Sequence, residues 1–149
     1  MVCRGTYGQR HKQDVIIKAV DLLNDGEKVT ELNHEIKVYG RLSSLQGNLV
    51  PRLIATGTVW DLLKVAIVEP FGTKLEGKTD NKTKDEIRAA LSELHQHKVL
   101  HGSVARRNYL RGLDGSIKIF DFGRATFDPT DYEKRDELAD VDWLIDLKC

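Results

Sequence analysis

The segment "HGSVARRNYLRGLDGSIKIFDFG" occupies residues 101–123 and holds the most informative pattern in the chain. It starts at His101, reaches Asn108 seven positions later, and ends on the tripeptide that begins at Asp121. The "LDGS" stretch predicts a turn, and the apolar "IKIF" after it predicts a short strand. A lone "DFG" is also compatible with an ordinary turn, because Asp and Gly favour turns. Here it lies thirteen residues after Asn108, across a strand, a turn and a second strand, and that joint spacing is specific.

The residues upstream predict a small sheet with one helix. "DVIIKAVDLL" (14–23) is β-branched and apolar, which predicts a strand that carries Lys18. Residues 30–45 have apolar side chains at helical spacing, with Glu35 beside that stripe. Residues 52–70 then predict two antiparallel strands with a turn near Trp60 and Asp61, the second strand being central in the sheet.

The second half predicts helices and short strands. Thr83, with Glu86 three positions on, predicts a capping box that opens a helix ending near His97, where His95 and His97 are expected to be exposed. The segment "ELADVDWLIDL" (137–147) predicts a last amphipathic element. The order of elements predicts an α+β fold.

A strand Lys, a helix Glu, "HGSVARRN" and "DFG", in this order, resemble the eukaryotic-like protein kinase superfamily. The resemblance runs from about Gly5 to Asp146. It implies one domain over 1–149 with two lobes: a small antiparallel-sheet lobe with one helix (1–70) and a reduced helical lobe (71–149). A minimal kinase-like fold and a truncated product both agree with this length. The resemblance also implies that segment 137–147 anchors the loop of residues 101–108 through Asp140 or Asp142.

The resemblance also implies a site for ATP and Mg²⁺. Lys18 would hold the α- and β-phosphates and pair with Glu35, while Asp121 would chelate Mg²⁺ and Asn108 would ligate a second ion. Further nucleotide contacts are implied at the hinge backbone, under the adenine and in a glycine-rich loop whose first glycine is replaced by Cys3: Glu69, Phe71, Leu110, Gly5 and Gly8. A flexible N-terminal tail is the alternative for the residues around Gly5 and Gly8.

Several residues depart from the family pattern. Ser103 stands where the family has the Asp that accepts the proton of the substrate hydroxyl, so the catalytic base is missing. Ile16 adds bulk where active kinases usually have Ala against the adenine. Gly102 replaces the Arg that meets a phosphorylated activation loop. Arg107, with Arg106, is predicted to hold a phosphate or substrate group, and an exposed basic pair is the alternative.

Composition narrows the function classes. The 23 basic and 23 acidic residues balance, which argues against a dedicated partner in nucleic acid or an anionic membrane. No apolar run reaches the roughly 20 residues of a membrane span. Two cysteines and no secretory signal predict a cytoplasmic protein. Three functions remain open: an ATP-binding pseudokinase with a protein partner or substrate, an active atypical kinase that phosphorylates a protein or small-molecule hydroxyl, and a docking module that binds no nucleotide.

Overall fold

The computed structural model describes residues 1–144. Its N-terminal half is a four-stranded antiparallel sheet in the order β1-β2-β4-β3. The strands are β1 (Val2–Tyr7), β2 (Gln13–Asp21), β3 (Leu53–Val59) and β4 (Leu63–Val68). The nearly continuous apolar β4 pairs with both β2 and β3, so its predicted central position is confirmed. The β3–β4 hairpin turns at Trp60 and Asp61, both with positive φ, as predicted.

One helix, α1 (Gly26–Arg41), packs on this sheet. It begins four residues before the predicted start, because the Asp25 side chain caps it by accepting from the Lys28 N–H. It also ends sooner, and Ser43–Leu45 form a separate 3₁₀ turn. Leu32, Glu35, Val38 and Tyr39 form its buried face. A carboxylate in that face needs a buried cation as its partner.

The C-terminal half combines two further helices with short strands. The helices are α2 (Asn81–Gln96) and α3 (Asp131–Asp140); the strands are β5 (Thr73–Lys74), β6 (Val99–Leu100), β7 (Tyr109–Arg111), β8 (Ile117–Ile119) and β9 (Thr126–Phe127). Residues 106–108 and 141–143 form 3₁₀ turns. β5, β7 and β8 make one antiparallel sheet, and β6 pairs with β9. The predicted α+β fold, a small antiparallel sheet with one helix followed by a reduced helical part, is confirmed.

The main core lies in the second half. Buried side chains of α2, including Ile87, Leu91 and Leu94, pack with Ile119 and Phe122. Burial of one such side chain stabilises the fold by about 1.5–3 kcal/mol. This core fixes the stretch 101–123 against α2. None of the described helices has the length and apolar character needed to cross a membrane.

The predicted cap of α2 was wrong, and the predicted C-terminal segment lies partly outside the described residues. Asp80, not Thr83, caps α2, because its carboxylate accepts from the Thr83 N–H at 2.8 Å. Glu86 turns away from that end and pairs with Arg111 at 2.5 Å. The predicted amphipathic segment 137–147 is α3 and a 3₁₀ turn as far as 144, and Asp146 and Cys149 lie outside the described residues.

Candidate nucleotide cleft and catalytic loop

A cleft of about 520 Å³ lies between the sheet and the second half of the chain. Apolar side chains from the sheet line it, with Ile16 and Val68 as cross-strand neighbours on β2 and β4. Six residues that sequence reasoning predicted for the site share this lining: Lys18, Glu35, Glu69, Phe71, Leu110 and Asp121. An apolar cavity with a few charged groups at one end is the usual form of a small-molecule site.

The charged end of the cleft is a chain of three groups. The Lys18 Nζ lies 2.5 Å from Glu35 Oε2 and 3.7 Å from Asp121 Oδ1. Burial disfavours the charge on Lys18, but the Glu35 carboxylate and, more weakly, Asp121 attract it and raise the pKa of Lys18 above its ordinary value. Lys18 is therefore an ammonium at neutral pH, held by Glu35 and directed towards Asp121.

Phe122 sets the direction of Asp121. Its ring is fully buried and packs edge-on against Tyr39 of α1, with ring centroids 5.5 Å apart, and against His101 at 5.4 Å. Asp121 itself has a positive φ of 65° and an exposed carboxylate. Because Phe122 is fixed in the core, the preceding residue turns its carboxylate into the cleft.

Asn108 and Ser103 are joined in the loop beside this cleft. The buried Asn108 donates from Nδ2 to the Ser103 carbonyl at 2.9 Å and to Ser103 Oγ at 3.2 Å. Both contacts use the amide nitrogen, so the oxygen of the Asn108 side chain is left as an acceptor. His101 is fully buried and donates from Nε2 to the Phe120 carbonyl at 3.0 Å, so it packs within the core.

Glu137 of α3 anchors this loop, and sequence reasoning missed it. Its Oε1 accepts from the Gly102 N–H at 2.7 Å, and its Oε2 accepts from the His101 N–H at 3.3 Å. Oε2 also lies 2.7 Å from His95 Nε2. Asp140 and Asp142 were the predicted anchors, and that prediction was wrong. Asp140 is exposed, and Asp142 pairs instead with Arg88 on the surface of α2.

The two histidines at the end of α2 are also not as predicted. His95 is buried because it completes the Glu137 network. His97 is half-buried, with Nδ1 bonded to the Glu93 carbonyl and Nε2 to Ser44 Oγ. A sequence signal for His95 was available, since it lies one residue from the buried Leu94 on a helix whose apolar face is broad.

The predicted glycine-rich loop coincides with the β1–β2 hairpin. Gly5 is inside strand β1, where it pairs with Val15, and Gly8 is in the β1–β2 turn with φ 108°. Neither glycine lines the cleft, where Val2 and Arg4 face inward instead. Residues 2–7 pair in regular antiparallel register with residues 13–18 of β2, and this pairing determines which side chains of β1 face the cleft.

Arg107 is exposed and does not line the cleft. Gly102, by contrast, is explained by the backbone. It has φ 76°, and a Cβ there would collide with the carbonyl oxygen of Arg124. The bulkier residue that the family resemblance would place there does not fit this loop.

A lysine–glutamate ion pair, an aspartate after a buried strand and an anchored loop asparagine beside one cleft define a kinase-type site. The family model for protein tyrosine and serine/threonine kinases matches residues 1–144. The chain belongs to this family.

Curated relatives agree with this family. The chain is 28% identical to the meiotic driver SPOK2 of Podospora anserina, over 85% of the chain and 18% of that protein. It is 31% identical to the serine/threonine-protein kinase PLK4 of Drosophila persimilis, over 76% of the chain and 16% of the relative. It is 29% identical to Misshapen-like kinase 1 of Rattus norvegicus, over 83% of the chain and 11% of that relative. The chain thus spans less than a fifth of each relative's length.

Proposed function

We propose that this domain binds ATP with Mg²⁺ in the cleft and transfers phosphate slowly or not at all. The observation that carries the proposal is the Lys18–Glu35 ion pair with Asp121 on the other side of the ammonium. The fixed cation suits the phosphates, and the apolar walls suit the adenine. The backbone at Glu69 and Phe71 offers the hinge contacts to the base, with Leu110 beneath it.

The donor set fits a magnesium ion. Mg²⁺ prefers oxygen ligands and takes only one or two from the protein, with phosphate oxygens and water completing its shell. Asp121 offers a carboxylate, and Asn108 offers its side-chain oxygen because its nitrogen is bonded to Ser103. When bound, the ion neutralises charge on the phosphates, and these two residues would hold it.

Ser103 is the reason for the proposed impairment. A neutral hydroxyl is a very weak base and does not accept a proton at neutral pH, and a general base contributes about 10²–10⁴-fold in rate. Positioning and charge neutralisation account for most of phosphoryl transfer, and Lys18, Asn108 and Asp121 would supply them. We therefore expect nucleotide binding with a rate lower by about two to four orders of magnitude than in a complete kinase.

Binding is tested by thermal unfolding with and without Mg²⁺–ATP. At an ATP concentration about 100 times Kd, the expected stabilisation is about 2.7 kcal/mol, which raises Tm by about 5–10 °C. Asp121→Asn should reduce this shift, because the half-exposed carboxylate can be replaced with little cost to the fold. Asp61→Asn in the β3–β4 turn is the matched control and should keep it. No shift in the wild type at millimolar ATP would reject nucleotide binding and favour the docking module.

Transfer is tested by ADP formation in wild type, Ser103→Asp and Ser103→Ala. A pseudokinase should gain about 10²–10⁴-fold on Ser103→Asp and lose little on Ser103→Ala. High wild-type activity that Asp121→Ala abolishes would instead establish an active atypical kinase.

We also propose that the protein has a protein partner or substrate and that it is cytoplasmic. The free Cys3 thiol is consistent with that location. Cell fractionation of the tagged full chain tests the location.

A further inference from the structure

A second cavity, of about 360 Å³, adjoins the nucleotide cleft. Thr73 and Lys74 of strand β5 line both spaces, so the two are continuous along this strand. The second cavity also has walls from the segment after β5, from the first turn of α2 and from the 3₁₀ turn that contains Arg106. It is thus built partly by the loop that also carries Ser103.

The lining of this second cavity is strongly basic. Lys74, Lys78, Arg106 and Arg111 line it, against a single lining carboxylate, Glu76. The nucleotide cleft is balanced, since its lining has the cations Arg4, Lys18 and Lys74 and the anions Glu35, Glu69 and Asp121. The whole chain is balanced too. The positive charge is therefore concentrated in the second cavity.

Two of the basic groups are held in place. Arg106 donates from Nη2 to the carbonyls of Leu75 and Gly77, at 2.7 and 2.6 Å, and so fixes the segment that carries the lysines. Arg111 Nη1 lies 2.5 Å from Glu86 Oε2, and its Nη2 is 3.5 Å from Thr83 Oγ1. Arg106 and Arg111 therefore shape the wall, and the charge of Arg111 is largely balanced by Glu86.

The other two basic groups are available to a ligand. Lys74 and Lys78 are exposed, and neither forms an ion pair with any residue in 1–144. The nearby acid Asp80 is occupied in capping α2, where it accepts from the Thr83 N–H. Two ammonium groups at one cavity form a donor set for an anion with several oxygens. A phosphate ester, with a charge near −2, matches two ammonium groups better than a single carboxylate does.

We propose that the second cavity binds a phosphate group carried by the acceptor substrate and holds that acceptor next to the nucleotide. The acceptor role rests on the proposed phosphotransferase function, whereas the anion site stands on the cavity alone. Lys78 provides the clean test, because it lines the second cavity and is not part of the nucleotide cleft. Lys82, one turn further on and outside both linings, is the matched control.

The experiment follows backbone amides of the full chain by NMR during titration with inorganic phosphate and, separately, with O-phospho-L-serine. Sodium chloride at equal ionic strength is the background. We expect saturable shifts centred on residues 73–79 with both probes. Lys78→Ala should raise Kd about tenfold, since it removes a charge-assisted contact. Lys82→Ala should change Kd by less than about twofold, as expected for an exposed charge outside the lining.

Three outcomes would overturn the proposal in distinguishable ways. Unsaturable shifts spread over many surface lysines would show charge screening and no site. Binding of inorganic phosphate but not of phosphoserine would reject the acceptor role and identify the ligand as a free anion. Equal effects of Lys78→Ala and Lys82→Ala would reject the assigned residues. Asp121→Asn separates the two proposals, because it should weaken ATP binding and leave the phosphate titration unchanged.

Discussion

Replacing Glu137 tests whether the catalytic loop is held by one buried carboxylate. Glu137→Ala would leave the His101 N–H, the Gly102 N–H and the His95 ring without their acceptor. An unsatisfied buried polar group costs about 1–3 kcal/mol, and breaking a buried charged network costs about 3–5 kcal/mol. Because water can reach Gly102, we expect a loss near the lower value, about 3 kcal/mol.

Thermal unfolding measures that loss, and for a chain of this size about 3 kcal/mol lowers Tm by about 6–12 °C. Glu137→Gln keeps one acceptor oxygen and should fall between wild type and Glu137→Ala. Asp136→Ala removes an exposed charge one residue earlier on α3 and serves as the control. Amide hydrogen exchange at His101 and Gly102 should accelerate in Glu137→Ala. The reasoning is refuted if Glu137→Ala lowers Tm no more than Asp136→Ala does.

Three further perturbations have defined outcomes. Ile16→Ala should enlarge the cleft and lower the Kd for ATP in calorimetry, at a stability cost of about 1–2 kcal/mol because the side chain is half-buried; an unchanged Kd would show that Ile16 does not restrict the pocket. Gly102→Ala should lower Tm by several degrees, since its Cβ would meet the Arg124 carbonyl at a positive φ; an unchanged Tm would contradict this. Hydrogen bonds from the side chain and backbone of Ser116, with Lys118, lower the pKa of Asp114 to about 2. The stabilising effect of the Asp114 carboxylate is therefore complete above its pKa in the unfolded state and is lost as the pH falls through its pKa in the folded state. Asp114→Asn and wild type should thus differ in Tm at pH 6 and converge between about pH 4 and 2. A difference in Tm that stays constant with pH would refute this linkage.

The sequence was sufficient to predict which element carries a site residue when that element has a clear local pattern. The pattern predicted that Lys18 lies on a strand and Glu35 on a helix, and the family resemblance implied their pairing. The two side chains meet because α1 packs on β2. Asn108 and Asp121 flank the β7–β8 hairpin, whose short turn limits how far apart its two ends can lie. In each case, the element that carries the residue could be predicted before its partner was known.

Contacts between distant elements could not be predicted in the same way. Glu137 and His95 are 42 residues apart and meet only because α3 packs against α2. Several carboxylates within 131–142 satisfy the same pattern, so the sequence did not distinguish Glu137 from Asp140 or Asp142. Gly5 and Gly8 were suggested by the family resemblance, and the sequence did not show that residues 2–7 pair along β2, an arrangement in which neither glycine lines the cleft.

The shape of the catalytic loop does not depend on the side chain at 103. Asn108 binds the Ser103 carbonyl, a contact that any residue at that position keeps, and Glu137 binds the backbone of the two residues before it. A carboxylate at 103 would therefore enter an unchanged loop, giving up only the 3.2 Å contact from Asn108 to the hydroxyl. Restored activity in Ser103→Asp would thus reflect the added base alone. If activity stays absent although ATP binds, the defect lies in the acceptor site, and the cavity around Lys78 becomes the next place to test.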